Sequence, residues 1–244
     1  MKIEKYKYLG NGKYKVIINK NDYIIYEDII LKYSLLTKEL ITEKELESFL
    51  KDNKYYEAYY KALKYINLKL RTKKEISKYL SKEFEKHDIE KVINKLQQEG
   101  YLNEDIYAQA YITDQINLKI IGPKKIVKDL ANLGIPEETS KKYIDSFTKE
   151  EQYNKINKVI EKEIRLNSTK SSYMLKNKVL NNLIEKGFYK EDIEECIANY
   201  AFDDSKIYEK EYKKVYEKLS KKYKGTALEY KVKEKMYQKG FRTN

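Results

Sequence analysis

Residues 185–197 read EKGFYKEDIEECI: a glycine, an aromatic residue, a polar run, then Ile193 and the pair Cys196-Ile197. Nearly the same phrase stands at KEFEKHDIEKVI from Lys82, at LGIPEETSKKYI from Leu133 and, as KGF, from Lys239. Aligned, Glu83, Gly134, Gly187 and Gly240 share one position, with separations of 51, 53 and 53 residues. A period near fifty marks a supersecondary unit used in tandem, long enough for three helices.

The phrase recurs for a local reason. A helix such as NKVLNNLIEK has to stop, and Gly187 takes the left-handed conformation without a Cβ clash. Phe188 then folds back on the final turn, as Phe84, Ile135 and Phe241 do in their units. The next helix offers Ile193, Cys196 and Ile197 on one face, matching Ile89, Val92 and Ile93 in the first unit. Cys196 thus fills a core slot rather than acting as a reactive thiol. Two departures are visible: Glu83 replaces the glycine, and Ser140 takes the first apolar slot of the second unit. The fourth unit runs out at Asn244 before a third helix.

The first 54 residues follow another rhythm. KIEKYKYL, KYKVIIN and YIIY alternate β-favouring residues around the turns Gly10-Asn11-Gly12 and Lys20-Asn21-Asp22, which predicts a three-stranded antiparallel meander. Thr42 and Glu45 form a capping box that opens a short helix, EKELESFLK, against it. The expected organisation is a β-rich module over 1–54, three-helix repeats over 55–102, 103–147 and 148–202, and a partial basic repeat over 203–244. The fold class is mainly α, a curved, elongated solenoid of tandem three-helix repeats behind a small β-meander.

Charge points to a partner. The chain of 244 residues carries 51 Lys and Arg against 39 Asp and Glu, a net +12. Residues 103–147 are at −1, whereas residues 203–244 are at +6. A basic terminal segment favours a polyanion, and nucleic acid comes before membrane because no strongly apolar face accompanies the lysines. With three arginines in the chain, backbone contact by lysine outranks base reading by arginine. A lysine-rich solvated surface explains the same excess without a partner. No run is long enough to span a membrane, the N-terminus lacks a signal-peptide core, and a lone cysteine cannot pair internally, so the expected compartment is the cytosol.

The catalytic inventory is thin. His87, the sole histidine, falls in a turn ahead of Asp88, which is placed to cap a helix. No Cys/His spacing suits a metal, no phosphate-cradling loop is present, and the expectation is no enzyme, no metal and no cofactor. Binding features are better represented. Arg71, Lys73 and Lys74 in unit one and Lys124 and Lys125 beside Gly122-Pro123 in unit two each join a first helix to a second. The helix dipole opposes positive charge there, which favours an external acidic partner. In KEYKKVYEKLSKKYKG, Lys213, Lys214, Lys221, Lys222 and Lys224 interleave with Tyr212, Tyr216 and Tyr223, a pattern suited to single-stranded nucleic acid. Tyr216 and Leu219 also fit a core stripe, as do Tyr55, Tyr56, Tyr59 and Tyr60.

ALKYINLKLRTKKEISKYL (62–80) resembles the first helical repeat of the RecX family, with its A-L-x-x-L…R-[ST]-x-x-E-[LIV] pattern. GYLNEDIYAQAYITDQINLKIIGPKKIVKDLANLGI (100–135) is similar to that family's most recognisable segment. It keeps Leu102-Asn103, Tyr107-Ala108, Gly122-Pro123 and Leu133-Gly134-Ile135, but has Glu104 where aspartate is usual and Gln115 where many members have arginine. The resemblance runs over about residues 55–244, and the leader resembles the extension of longer members. It implies a non-catalytic, monomeric regulator that lodges in the groove of the filament of RecA recombinase on single-stranded DNA. Such a regulator restrains filament growth, ATP hydrolysis, strand exchange and coprotease activity. It also implies contact roles for Arg71 and the lysines named above, with Gly134, Ile135, Gly187, Phe188 and Gly240 as repeat joints. The rival classes are a sequence-independent single-strand DNA-binding protein and a protein-only scaffold.

Overall fold

A computed structural model describes residues 1–167 and 170–242. The chain divides into two compact units: Met1–Tyr107 with Leu133–Ile135, and Ala108–Asn132 with the chain from Pro136 onward. Asn244, where the fourth repeat runs out, lies outside the described residues.

The first unit opens with the expected meander, β1 (Ile3–Gly10), β2 (Lys13–Ile18) and β3 (Asn21–Tyr26), antiparallel in the order β1-β2-β3. The second turn sits one residue earlier than predicted. Asn19 and Lys20 both take positive φ, 46° and 64°, and Asn21 and Asp22 already pair in β3. Two successive left-handed residues match the twist of a two-residue hairpin, and Asn tolerates that conformation better than Asp22 would at the next step.

One sheet face is apolar. Ile3, Val16, Ile18 and Ile25 pack with Ile29 and Ile30 of α1 (Glu27–Lys32), Leu35, Ile41 and Phe49. Phe49 belongs to α2 (Glu43–Ile66), opened by the Thr42/Glu45 capping box. That helix does not stop at Lys51 as the sequence led one to expect; it runs 24 residues across the 54/55 boundary. Nothing between Asp52 and Tyr60 breaks a helix, and Asn53, the polar residue that reads as a pause, is instead a tie. Its side chain accepts from the Tyr26 N–H at 2.9 Å and donates to the Ile24 carbonyl at 2.8 Å. The first half of α2 covers the sheet. Its second half begins a helical repeat with α3 (Lys73–Leu80) and α4 (Lys86–Gln98) around Ala58, Tyr59, Ala62, Ile76, Leu80, Ile89, Val92, Leu96 and Leu102. Glu85, not Asp88, is the residue that caps α4, so Asp88 lies inside its first turn, and His87 beside it is exposed.

α5 (Glu104–Leu118), α6 (Pro123–Asn132) and α7 (Glu137–Ile144) form the second repeat. Asn103 caps α5 by accepting from Ile106 N–H at 3.1 Å, and both prolines open helices. Ser140 occupies its apolar slot fully buried, its hydroxyl donating to the Pro136 carbonyl at 3.3 Å, which satisfies the polar group within one turn. α8 (Lys149–Leu166), α9 (Ser172–Glu185) and α10 (Lys190–Ala198) form the third. Ile193, Cys196 and Ile197 are all buried, and burial pushes the Cys196 thiol up to about 11. The fourth repeat is a hairpin of α11 (Ser205–Leu219) and α12 (Gly225–Gln238) around Val215, Leu228, Val232, Met236 and Phe241. Tyr216 leaves the predicted core stripe, being 43 % exposed, because Val215 takes the inward position.

Candidate partner-binding surface

The recurring place in this fold is the start of each repeat's second helix. In the first repeat Thr72 caps α3 in a capping box with Glu75. Arg71 lies flat on the Tyr65 ring, 3.6 Å from guanidinium carbon to centroid, and Tyr65 stacks in turn on Tyr79 at 4.2 Å. Arg71 also meets Glu75 at 3.3 Å, and its side chain is only 10 % exposed. A planar cation stacked and paired this way braces the loop between α2 and α3. Beside it, Lys73 pairs with Glu104 at 2.8 Å, so the Glu104 departure from the family pattern still supplies a carboxylate. Lys74 is exposed at its residue level while its stem packs against Gly134.

The second repeat starts α6 differently. Gly122 N–H donates to the Lys186 carbonyl at 2.7 Å, and Lys124 N–H donates to the Gly187 carbonyl at 3.1 Å. The free donors that begin α6 therefore meet the carbonyls that end α9, which aligns the two helix dipoles head to tail. In the third repeat Ser171 caps α9, accepting from Met174 N–H at 3.3 Å while its hydroxyl donates to the Lys239 carbonyl at 2.9 Å. The end of α12 thus seats on the start of α9, as α9 seats on α6. The joint glycines have two duties. Gly187 and Gly240 take φ of 88° and 81°, with Phe188 and Phe241 N–H donating back five residues, to Leu183 and Met236. They also give close approach: a Cβ on Gly187 would fall 2.4 Å from Lys125 N, and one on Gly240 would fall 2.5 Å from Ser171 Oγ. Turn chemistry reveals the first duty in sequence; the second needs the packing. Ile135 and Phe188 are buried beside their joints.

These seats leave side chains on the outside. Lys124 and Lys125 are exposed, with Lys124 Nζ 4.4 Å from the Tyr189 ring centre. In the fourth repeat Lys221, Lys222 and Lys224 occupy the same place, the turn that opens α12, and they are exposed with no ion pair among the described residues. Lys213 is likewise exposed on α11, whereas Lys214 pairs with Glu211 at 3.0 Å. Tyr208, Tyr212 and Tyr216 form a ladder with centroid spacings of 5.9 and 6.1 Å. The lysines that seemed two separate groups in sequence, at the repeat joints and in the terminal segment, thus share one structural position.

The sequence reading missed the apolar companion of these lysines. Leu68, Leu118 and Leu166, each in the loop after a first helix, are 76, 77 and 64 % exposed. Their signal was present: Ile-Asn-Leu-Lys stands at 66–69 and again at 116–119. Lys155 was also missed. Its ammonium donates to the Ile116 and Lys119 carbonyls at 2.5 and 2.7 Å, closing the end of α5, and burial lowers its pKa. Among the described residues, no group of three or more His, Cys, Asp or Glu is placed to hold a metal ion, and no helix is long and apolar enough to cross a membrane.

Repeats joined end to end through their second helices, with lysines and leucines at each leading edge, define a helical-repeat binding protein. The pattern described as the first three-helix domain of RecX matches residues 58–96, from the second half of α2 into α4. The regulatory protein RecX of Bacillus cytotoxicus is 34 % identical over 219 residues, 87 % of this chain and 81 % of that protein. The RecX regulatory protein of Listeria monocytogenes is 27 % identical over 237 residues, 94 % of this chain and 87 % of its own. A crystal structure of regulatory protein RecX shares the fold at a TM-score of 0.70 and 24 % identity, covering 79 % of this chain and 97 % of that one. RecX from Lactobacillus salivarius superposes at 0.55 with 30 % identity, covering 59 % of this chain and 94 % of its own. The chain belongs to the RecX family.

Proposed function

We propose that the protein is a non-catalytic cytoplasmic regulator of the RecA recombinase, binding the filament that RecA forms on single-stranded DNA and restraining its growth and ATP hydrolysis. The carrying observation is the recurrence of one surface element, exposed leucine followed by exposed lysines at the start of a second helix, in successive repeats. A polymer of identical protomers offers the same socket at regular intervals, and a repeat protein meets such a partner with the same contact used several times. Lysines at that edge reach phosphate or carboxylate as point charges, and the leucines supply apolar contact. In this reading Lys73, Lys74, Lys124, Lys125, Lys213, Lys214, Lys221, Lys222 and Lys224 face the partner, and Arg71 holds its loop in shape. One copy acts as a monomer.

Affinity as a function of salt tests this against plain DNA binding. The regulator binds the assembled filament more tightly than bare single strands or free recombinase. A backbone binder instead holds bare DNA with a log–log salt slope of about −0.7 per phosphate contact. The exposed, unpaired Lys221, Lys222 and Lys224 beside Tyr216 and Tyr223 favour this second reading. Equal affinity for bare DNA and filament would make it the right one.

A further inference from the structure

The α11–α12 hairpin differs from the preceding repeat in what lies over it. In the third repeat, α10 lies against both α8 and α9, with Ile193 and Cys196 essentially inaccessible. The second helices of the two repeats correspond with an offset of 53 residues: Leu175, Val179, Leu183, Gly187 and Phe188 match Leu228, Val232, Met236, Gly240 and Phe241. Among the described residues no helix follows Phe241. The corresponding surface is an open groove of about 690 Å³ with Val232, Met236 and Phe241 in its floor and Tyr208, Tyr212 and Tyr237 among its walls. Tyr237 is 60 % exposed.

We propose that this groove seats an acidic amphipathic helix supplied by a partner protein, with apolar residues at i, i+3 and i+4 as Ile193, Cys196 and Ile197 stand in α10. Two observations select that occupant. The same chain covers the corresponding surface of its third repeat with a helix of this pattern, and that helix is acidic: Lys190–Ala198 has four carboxylates against one lysine. The hairpin Ser205–Gln238 is its complement in charge, with eleven lysines against five glutamates. One of the rim glutamates, Glu234, is already paired with Lys231 at 2.7 Å. Tyrosine walls suit such a seat, since each ring covers an apolar stripe while its hydroxyl stays at the wet rim. The groove does not include Lys213, Lys214, Lys221, Lys222 or Lys224, so the inference stands apart from the filament reading.

The chain's three methionines make the test direct. Met236 lines the groove, Met174 sits at the Gly240 joint and Met1 is in the β-module. With methyl-labelled methionine in the full chain, a synthetic peptide of residues 188–200 carrying Cys196→Ser is added, then a scrambled peptide of equal charge. The proposal predicts a saturable shift of Met236, none at Met1, none with the scrambled peptide, and about tenfold weaker binding in Tyr237→Ala, the scale of losing one tyrosine anchor. No Met236 shift, or an equal shift with the scrambled peptide, overturns it. A shift with oligothymidylate but not with the peptide would make the groove a nucleic-acid site. A shift on diluting the protein alone would make the occupant a second copy. Either result overturns the proposal.

Discussion

Gly122 and Gly187 meet backbone to backbone: a Cβ on Gly122 would lie 2.3 Å from the carbonyl carbon of Gly187. The start of α6 and the end of α9 therefore touch without side chains between them, and the Gly122 N–H reaches the Lys186 carbonyl at 2.7 Å. This contact, repeated between α9 and α12 with Ser171 and Gly240, makes a column from separate repeats.

Substitution at the joint separates conformation from packing. Gly100 has φ of 80° with nothing within 4 Å of a built Cβ, whereas Gly187 has φ of 88° and backbone at 2.4 Å. Gly100→Ala is expected to cost about 1–2 kcal/mol, the left-handed penalty alone. Gly187→Ala adds overpacking and is expected to cost about 3 kcal/mol or more. Urea denaturation measures both, and equal losses would remove close approach from the account.

Arg71→Lys keeps the charge but loses the plane that lies on Tyr65 and the fork that meets Glu75. A loss of about 1–2 kcal/mol in stability is expected, with filament affinity following only in proportion. Lost affinity at unchanged stability would instead make Arg71 a contact.

Leu68 and Leu118 face solvent, so Leu68→Ser with Leu118→Ser should leave stability within about 0.5 kcal/mol. If these leucines enter partner sockets, filament affinity falls about tenfold or more. Binding that survives the double change would reduce the contact to its lysines.

Glu211 bonds Lys239 at 2.6 Å and Lys214 at 3.0 Å, and these two hold its carboxyl down to about 2. A carboxylate depressed in the folded state contributes stability above its ordinary value of 4.5, and that contribution is lost as pH falls through the folded value. The gap in Tm between wild type and Glu211→Gln should therefore be widest above about pH 5 and close as pH approaches 2. A gap constant across that range would show that the ion pairs contribute nothing.

Much of this architecture was legible because local chemistry and fold agree. The capping boxes at Thr42 and Thr72, the Gly10-Asn11-Gly12 turn and the 53-residue period each state a backbone requirement in side-chain terms. The reading failed where a residue serves a distant partner. Asn53 looks like a helix boundary but bonds to β3, so α2 continues through it. Arg71 looks like a surface cation but is committed to Tyr65 and Glu75. The shared place of Lys124 and Lys221 depends on the loop lengths before α6 and α12, which the repeat alignment, anchored on glycines, did not compare. Leu68 and Leu118 were passed over because an apolar residue after a helix reads as core, and only the fold turns it outward.

The central claim is restraint of the filament, and the most direct measurement is single-stranded-DNA-dependent ATP hydrolysis by the cognate RecA as this protein is added well below one copy per protomer. The account predicts inhibition at those ratios, under salt where the protein does not hold bare DNA. Undiminished hydrolysis at an excess of the protein would contradict it.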